Sequence, residues 1–228
     1  MSAPEGLLLV DKPAGVTSHD VVQLARRAYG ERSIGHLGTL DPFATGLLVL
    51  LLGRSTRLAT FLGTEPKVYE ATIRFGAETD TDDCTGAVTR EAPPPSSEAV
   101  LAAIPSLTGE ITQTPPAYSA KSVDGKRAYD AAREGAPLQL DPVRVMVNEW
   151  TVRDIRDSEV DVAITCGTGT YIRALARDLG RTAGSAAHLA SLRRTRSGPF
   201  DVRDAVTVDQ LTGSAPPLRR LTVVASDV

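Results

Sequence analysis

The stretch VRVMVNEWTVRDIRDSEVDVAITC, residues 143–166, decides the fold class. Two β-rich runs, around Val143–Val152 and Val160–Cys166, bracket a charged turn. Strands joined by so short a connection pair antiparallel, because a parallel return needs a crossover of a dozen residues or more. The same reading extends towards the N-terminus. Tyr69, Ala71, Ile73 and Phe75 alternate with Val68, Glu70, Thr72 and Arg74, which is strand periodicity with one wet face. Leu7–Val10 and Leu47–Leu52 read as buried apolar strands. Helices fall between them at irregular intervals. Ser18 is read as the N-cap of a helix with Val21, Leu24, Ala25 and Ala28 on one face and Gly30 as its stop. Short helices are expected over Arg54–Leu62, from Ser96 or Ser97 towards Ile104, and over Lys126–Glu134 after a turn at Asp124-Gly125. Thr170 is read as the cap of an amphipathic helix to Leu179, stopped by Gly180. Several adjacent strands lack helical crossovers, so the predicted class is α+β, a mixed, mostly antiparallel central sheet flanked by helices.

With 228 residues, 42% hydrophobic and 23% charged, the chain has a globular composition and material for one large domain or two small ones. Met1–Gly6 lacks the basic region of a secretory signal, and Leu47–Leu52 is far shorter than the roughly 20 apolar residues of a membrane span. The expected location is cytoplasmic. Cys84 and Cys166 lie far apart without a CxxC pair and read as reduced thiols, and His19, His36 and His188 lack metal-ligand spacing. Cys166–Thr170 resembles the start of a phosphate-binding glycine loop, but Ile172 stands where its third glycine belongs. Neither metal nor organic cofactor is expected. The formal charge of −3 disfavours nucleic acid only on average, since six arginines against one acid occupy residues 167–200 while acids gather in Glu78–Asp83.

Chemistry concentrates in Gly35–Gly46, GHLGTLDPFATG. Asp-Pro by itself is a common turn pair. Three glycines, a histidine and an acid between two buried strands point to a functional loop, with Asp41 as its carboxylate. Arg173 sits in the first turn of its helix, where a cation opposes the macrodipole by a few tenths of a kcal/mol. It fits better with an anion opposite it. Arg177 and Arg181 continue the same stripe and read as a solvated face or as phosphate contacts. Tyr69, on the apolar face of its strand, and Tyr171 are each readable as core or as site.

Seven segments in order carry a resemblance: Gly6–Ser18 (GLLLVDKPAGVTS), Gly35–Gly46, Lys67–Gly76, Thr79–Gly86, Pro115–Gly135, Cys166–Gly180 and Ala187–Phe200. Together they resemble the bacterial tRNA pseudouridine-55 synthase family. The resemblance implies a pseudouridine-synthase fold over residues 1–200, with an RNA-gripping insertion at about 112–137 and a short extension over 201–228. It implies isomerisation of uridine-55 in the T loop of tRNA, after flipping of the base. Asp41 matches the catalytic aspartate, Tyr69 the tyrosine that packs on the target base, and Arg173 the arginine that pairs with the carboxylate, with Tyr171 beside it. His36 matches the histidine that fills space left by extruded bases, Leu192 a residue of the uracil pocket, and Lys12 a supporting lysine.

General chemistry agrees with those roles. Flipping a base costs a few kcal/mol, and aromatic stacking returns about 1–3 kcal/mol. Breaking a glycosidic bond develops positive charge on the sugar, which an ionised carboxylate stabilises or captures. A neighbouring guanidinium lowers an acid's pKa by about 1–3 units. Arg193, Arg194 and Arg196 are expected to grip phosphates rather than read bases.

The sequence departs from the family pattern at Leu37, where a small or polar residue is usual, and at Lys121, which comes one residue early and receives no role. Only 28 residues follow Phe200, where many relatives carry an RNA-binding domain, so weaker tRNA affinity is expected. The tRNA T arm is the expected partner of a monomer that needs no second protein. Two other readings stand beside this one: a guide-RNA-dependent synthase working with protein partners, and a tRNA-folding chaperone whose main role is binding.

Overall fold

The computed structural model describes residues 4–119, 121–123, 126–133, 136, 138 and 140–219. In chain order its strands are β1 (Gly6–Lys12), β2 (Ile34–Leu37), β3 (Thr45–Leu52), β4 (Lys67–Phe75), β5 (Ala77–Thr79), β6 (Val88–Glu91) and β7 (Gly109–Gln113). They continue with β8 (Ser122–Val123), β9 (Lys126–Arg127), β10 (Val143–Arg156), β11 (Glu159–Cys166), β12 (Ala187–Ser197), β13 (Phe200–Asp201) and β14 (Val206–Thr207). The helices are α1 (Ser18–Tyr29), α2 (Ser97–Ala103), α3 (Ala128–Arg133), α4 (Ile172–Thr182) and α5 (Val208–Gly213). This is the α+β class that the 143–166 hairpin foretold. The chain forms two compact units, Met1–Lys67 with Arg193–Val228, and Val68–Leu192.

In the first unit β1 runs antiparallel to β3 from Gly6↔Leu52 to Lys12↔Gly46, and β14 lies parallel to β1. The other edge of β3 is shared. β2 takes Val49–Leu52, and Arg193 and Arg194 of β12 run parallel to Thr45 and Gly46. The loop joining β2 to β3 emerges where one neighbour gives way to the other. Both faces of β1 and β3 are covered, which explains the uninterrupted apolar run. Leu48, Leu50 and Leu52 pack with Val21, Val22 and Ala25 of α1 and Leu211 of α5. Leu47, Val49 and Leu51 pack against Leu62, Phe200 and Val202 on the opposite side. Each such side chain, fully buried, contributes about 1.5–3 kcal/mol.

In the second unit the neighbours run β4, β11, β10, β7, with β12 beside β4. The β10–β11 hairpin is antiparallel as expected, from Val147↔Cys166 to Arg156↔Glu159, with two bulges that bend its long arm. On β4 the buried apolar residues are Tyr69, Ala71, Ile73 and Phe75, as the alternation predicts, and Lys67 at its start is buried too.

Local details differ from the sequence reading. Thr17, not Ser18, caps α1: its hydroxyl accepts from Asp20 N–H at 3.0 Å, and the Asp20 carboxylate accepts from Thr17 N–H at 2.8 Å. Gly30 ends α1 in the left-handed region, as read. Tyr171 rather than Thr170 precedes α4, and α4 runs through Gly180 to Thr182. Gly180 is there for close approach, since a Cβ on it would lie 2.6 Å from the Ala187 backbone nitrogen. Gly53–Leu58 forms a 3-10 helix where a longer helix to Leu62 was expected. The Asp124-Gly125 turn and Glu134 lie outside the described residues.

Candidate active site

The loop Gly38–Ala44 carries Asp41, and four groups of the first unit hold its backbone. Arg194, 1% exposed, donates from Nη2 to Gly38 O at 2.9 Å and from Nε to Leu47 O at 2.8 Å, so one guanidinium spans both roots of the loop. Ser18 Oγ accepts from Leu40 N–H at 2.9 Å and donates to Leu40 O at 3.0 Å. Pro42 O accepts from Gly15 N–H at 2.8 Å and from Lys12 Nζ at 3.4 Å. Asp41 itself opens a turn, its C=O accepting from Ala44 N–H at 3.1 Å, so the Asp-Pro pair does form the turn its type suggests. The half-buried Asp41 is thus bracketed at residues 38, 40 and 42.

Lys12 is fully buried and also donates to Pro13 O and Val16 O at 2.9 and 2.8 Å. Burial lowers its pKa from 10.5 to about 8, a shift that the nearby Asp41 charge opposes and Arg194 assists. His36 on β2 has its pKa lowered too, by burial first and then by Arg194 and His19, which favours the neutral ring. Its Nδ1 is buried without a hydrogen-bond partner.

Tyr69, Tyr171, Arg173 and Leu192 belong to the second unit. Arg173, 4% exposed, donates to Thr81 O at 2.7 Å and Tyr118 O at 2.8 Å, and its Nη1 lies 3.7 Å from Asp83 Oδ2. An anion near this first-turn cation was expected, and within this unit Asp83 supplies one. Tyr171 is fixed by a residue the sequence reading missed. The Gln113 side-chain amide accepts from Tyr171 N–H at 2.9 Å and donates to Tyr171 O at 3.1 Å. Tyr69 and Leu192 are buried on β4 and β12.

The arginine assignments need correction. Arg177 is buried and binds Asp82 at 2.8 Å and Thr114 O at 2.9 Å, and Arg181 grips Glu78 at 2.6 Å. The acids of Glu78–Asp83 thus partner the stripe, and of its two members Arg177 departs from the solvated face that was read while Arg181 is exposed as it pairs. Arg194 serves the loop, and Arg193 pairs with Asp11 at 2.7 Å. Of the three β12 arginines assigned to phosphates, Arg196 is the exposed one. No sequence signal marks these pairs, because each spans many tens of residues. The Thr17–Asp20 spacing, by contrast, was a legible capping box that released Ser18 for the loop. Lys121 is exposed. Among the described residues, no group of three or more His, Cys, Asp or Glu could hold a metal, and no helix is long and apolar enough to cross a membrane.

A family model described as TruB family pseudouridylate synthase (N terminal domain) matches residues 26–172, and one described as tRNA pseudouridylate synthase B C-terminal domain matches residues 173–222. The chain belongs to the TruB family of pseudouridylate synthases. Among similar TruB relatives, the tRNA pseudouridine synthase B of Thermobifida fusca is 50% identical over 217 residues, covering 91% of this chain and 74% of that one. The tRNA pseudouridine synthase B of Mycobacterium avium (strain 104) is 48% identical, with 92% and 70% covered. Among solved structures, a Cbf5-Nop10-Gar1 complex matches with a TM-score of 0.70 and 29% identity, covering 91% of this chain and 54% of that one. An H/ACA RNP bound to a substrate RNA containing 2'-deoxyuridine matches at 0.67 and 27%, covering 91% and 52%. This chain spans about half the length of those solved chains. As a TruB-family member it is an RNA pseudouridine synthase, with the mixed sheet and flanking helices that its sequence predicts.

Proposed function

We propose that this chain isomerises uridine-55 in the T loop of tRNA to pseudouridine, flipping the nucleotide out and using Asp41 as the catalytic carboxylate. The observation that carries the reading is the backbone clamp on the Asp41 loop, at Gly38, Leu40 and Pro42. A carboxylate meant to meet an everted sugar has to be placed before substrate arrives, and peptide anchors on both sides do that. Family membership supports the reaction class, and the names of the relatives support tRNA as substrate.

Within the proposal, Tyr69 stacks on the target base, Leu192 and Tyr171 line its pocket, and His36 occupies space vacated in the T loop. Arg173 is assigned to pair with the catalytic carboxylate, and Lys12 to support the loop. The uracil leaves and returns within one pocket, so the isomerisation consumes no second substrate. The catalytic domain is assigned to residues 1–200, with an RNA-gripping insertion at about 112–137. The enzyme is assigned to the cytoplasm, acting as a monomer on the T arm without an obligatory protein partner.

The test is to incubate purified protein with a T-arm transcript and map pseudouridine, for wild type and Asp41→Asn. Product at the uridine-55 position from wild type alone, with RNA binding retained by the variant, is expected. Product from both removes Asp41 from its role. Tight binding without product from either favours the chaperone reading.

A further inference from the structure

Ser18 is the first residue of α1 and is 3% exposed, yet its hydroxyl does not cap the helix. That task belongs to Thr17, whose reciprocal bonds with Asp20 fix the first turn. The Ser18 hydroxyl instead closes on both backbone polar groups of Leu40, at 2.9 Å to the N–H and 3.0 Å to the C=O. One side-chain oxygen thus treats Leu40 as a neighbouring strand would, accepting from its N–H and donating to its C=O. The Leu40 side chain is buried as well, at 3% exposed, so residue 40 is held at backbone and side chain together. The next residue is Asp41.

We propose that Ser18 is a positioning residue for catalysis: its hydroxyl fixes the backbone of Leu40 and through it aims the Asp41 carboxylate. This rests on Asp41 being the catalytic group. The backbone angles of residue 40 help set the direction in which Asp41 leaves the chain. Two opposed hydrogen bonds from one atom restrain those angles more tightly than either would alone. Lys12 and Gly15 act on the far side, at Pro42 O, and Arg194 at Gly38 O, so neither replaces a restraint at residue 40. The hydroxyl reaches the chain through a rigid element, because the capping box orders the first turn of α1 before any substrate is present. A displacement of about 1 Å at a reacting group lowers rates by up to about a hundredfold. Loss of the hydroxyl therefore slows the chemical step while leaving the RNA-gripping surface as it was.

The experiment compares wild type, Ser18→Ala, Ser18→Thr, Ser18→Cys and Asp41→Asn on a T-arm transcript. The readouts are the single-turnover rate at saturating enzyme, the transcript Kd, and thermal melting to find a temperature at which every variant is folded. Ser18→Ala is expected to lose about ten- to a hundredfold in rate with Kd within about threefold of wild type. Ser18→Thr, which keeps the hydroxyl, recovers most of the rate. Ser18→Cys keeps a side chain but only a weak donor and acceptor, and behaves like Ser18→Ala; it carries the test if the alanine variant does not fold. A wild-type rate in the folded Ser18→Ala or Ser18→Cys protein overturns the proposal, as does a loss that appears wholly in Kd. Activity in Asp41→Asn would instead overturn the parent assignment, so the two failures are told apart.

Discussion

Replacing Arg194 by methionine removes the guanidinium that spans the loop roots while keeping an unbranched side chain of similar reach. The arginine is 1% exposed and donates to Gly38 O at 2.9 Å and Leu47 O at 2.8 Å. Both acceptors lose a charged donor, and a buried acceptor left unmet costs about 1–3 kcal/mol. The gross loss is therefore about 2–6 kcal/mol. Against it stands the desolvation of the guanidinium, which methionine relieves. A carboxylate partner would have been stranded as a bare charge, but these two partners are neutral carbonyls, so the penalty stays at unmet acceptors. A net destabilisation of about 3 kcal/mol is expected. For a chain of this size 1 kcal/mol corresponds to about 2–4 °C, so Tm falls by about 6–12 °C. Arg194→Lys should fall between, since one ammonium lacks the planar fork that reaches two carbonyls at once. Thermal unfolding followed by circular dichroism gives the shift, and urea titration should show a lower midpoint at constant m. A melting temperature within about 2 °C of wild type for Arg194→Met would refute the view that this side chain holds the loop.

Lys12 gives a pH dependence of unusual sign. Burial holds its pKa near 8 in the folded chain against 10.5 for an ordinary lysine, so between those values the unfolded chain binds more protons. Stability should therefore rise with pH across that window by up to about 3 kcal/mol, and Lys12→Met should flatten the rise in urea titrations at pH 8 and 10. Gly46→Ala should abolish soluble folding, at a cost of more than about 4 kcal/mol. Residue 46 sits at φ +100°, and a Cβ there would lie 2.2 Å from Arg194 O, so soluble expression at the wild-type level would contradict the packing.

Strands were legible wherever their burial is simple. The 143–166 hairpin and β4 alternate because each buries one face, and the run from Leu47 to Leu52 is apolar throughout because β3 is covered on both. Helix ends were less legible, because one letter serves several purposes. Gly30 and Gly180 look alike in sequence, yet the first ends α1 in the left-handed region while the second lets Ala187 approach α4. Thr17 and Ser18 are both good caps, and only the register of Asp20 three residues after Thr17 separates them. The arginines were least legible. Arg177 finds Asp82, and Arg181 finds Glu78, across about a hundred residues of chain, a distance over which composition reports only that both charges exist. In the candidate site Asp41 was singled out from its loop, but of the groups that hold the loop only Lys12 was named, and that through the family resemblance. Arg194 was read as a phosphate contact and Ser18 as a cap, because a side chain whose partner is a backbone carbonyl leaves no complementary letter in the sequence.

Backbone anchors of this kind shape how such a site works. Anchors that grip peptides, as Arg194, Ser18 and Lys12 do at residues 38, 40 and 42, need not be released for the Asp41 side chain to engage a substrate. Holding the chain on either side orders the loop during folding, where the buried β1–β3 core and the capped α1 supply the rigid frame. The arrangement also places two long basic side chains, Lys12 and Arg194, against the backbone of the loop. If the frame is what matters, conservative changes at the anchors should lower the rate in proportion to how far they free the backbone, and changes to surface arginines remote from the loop should act on RNA binding instead.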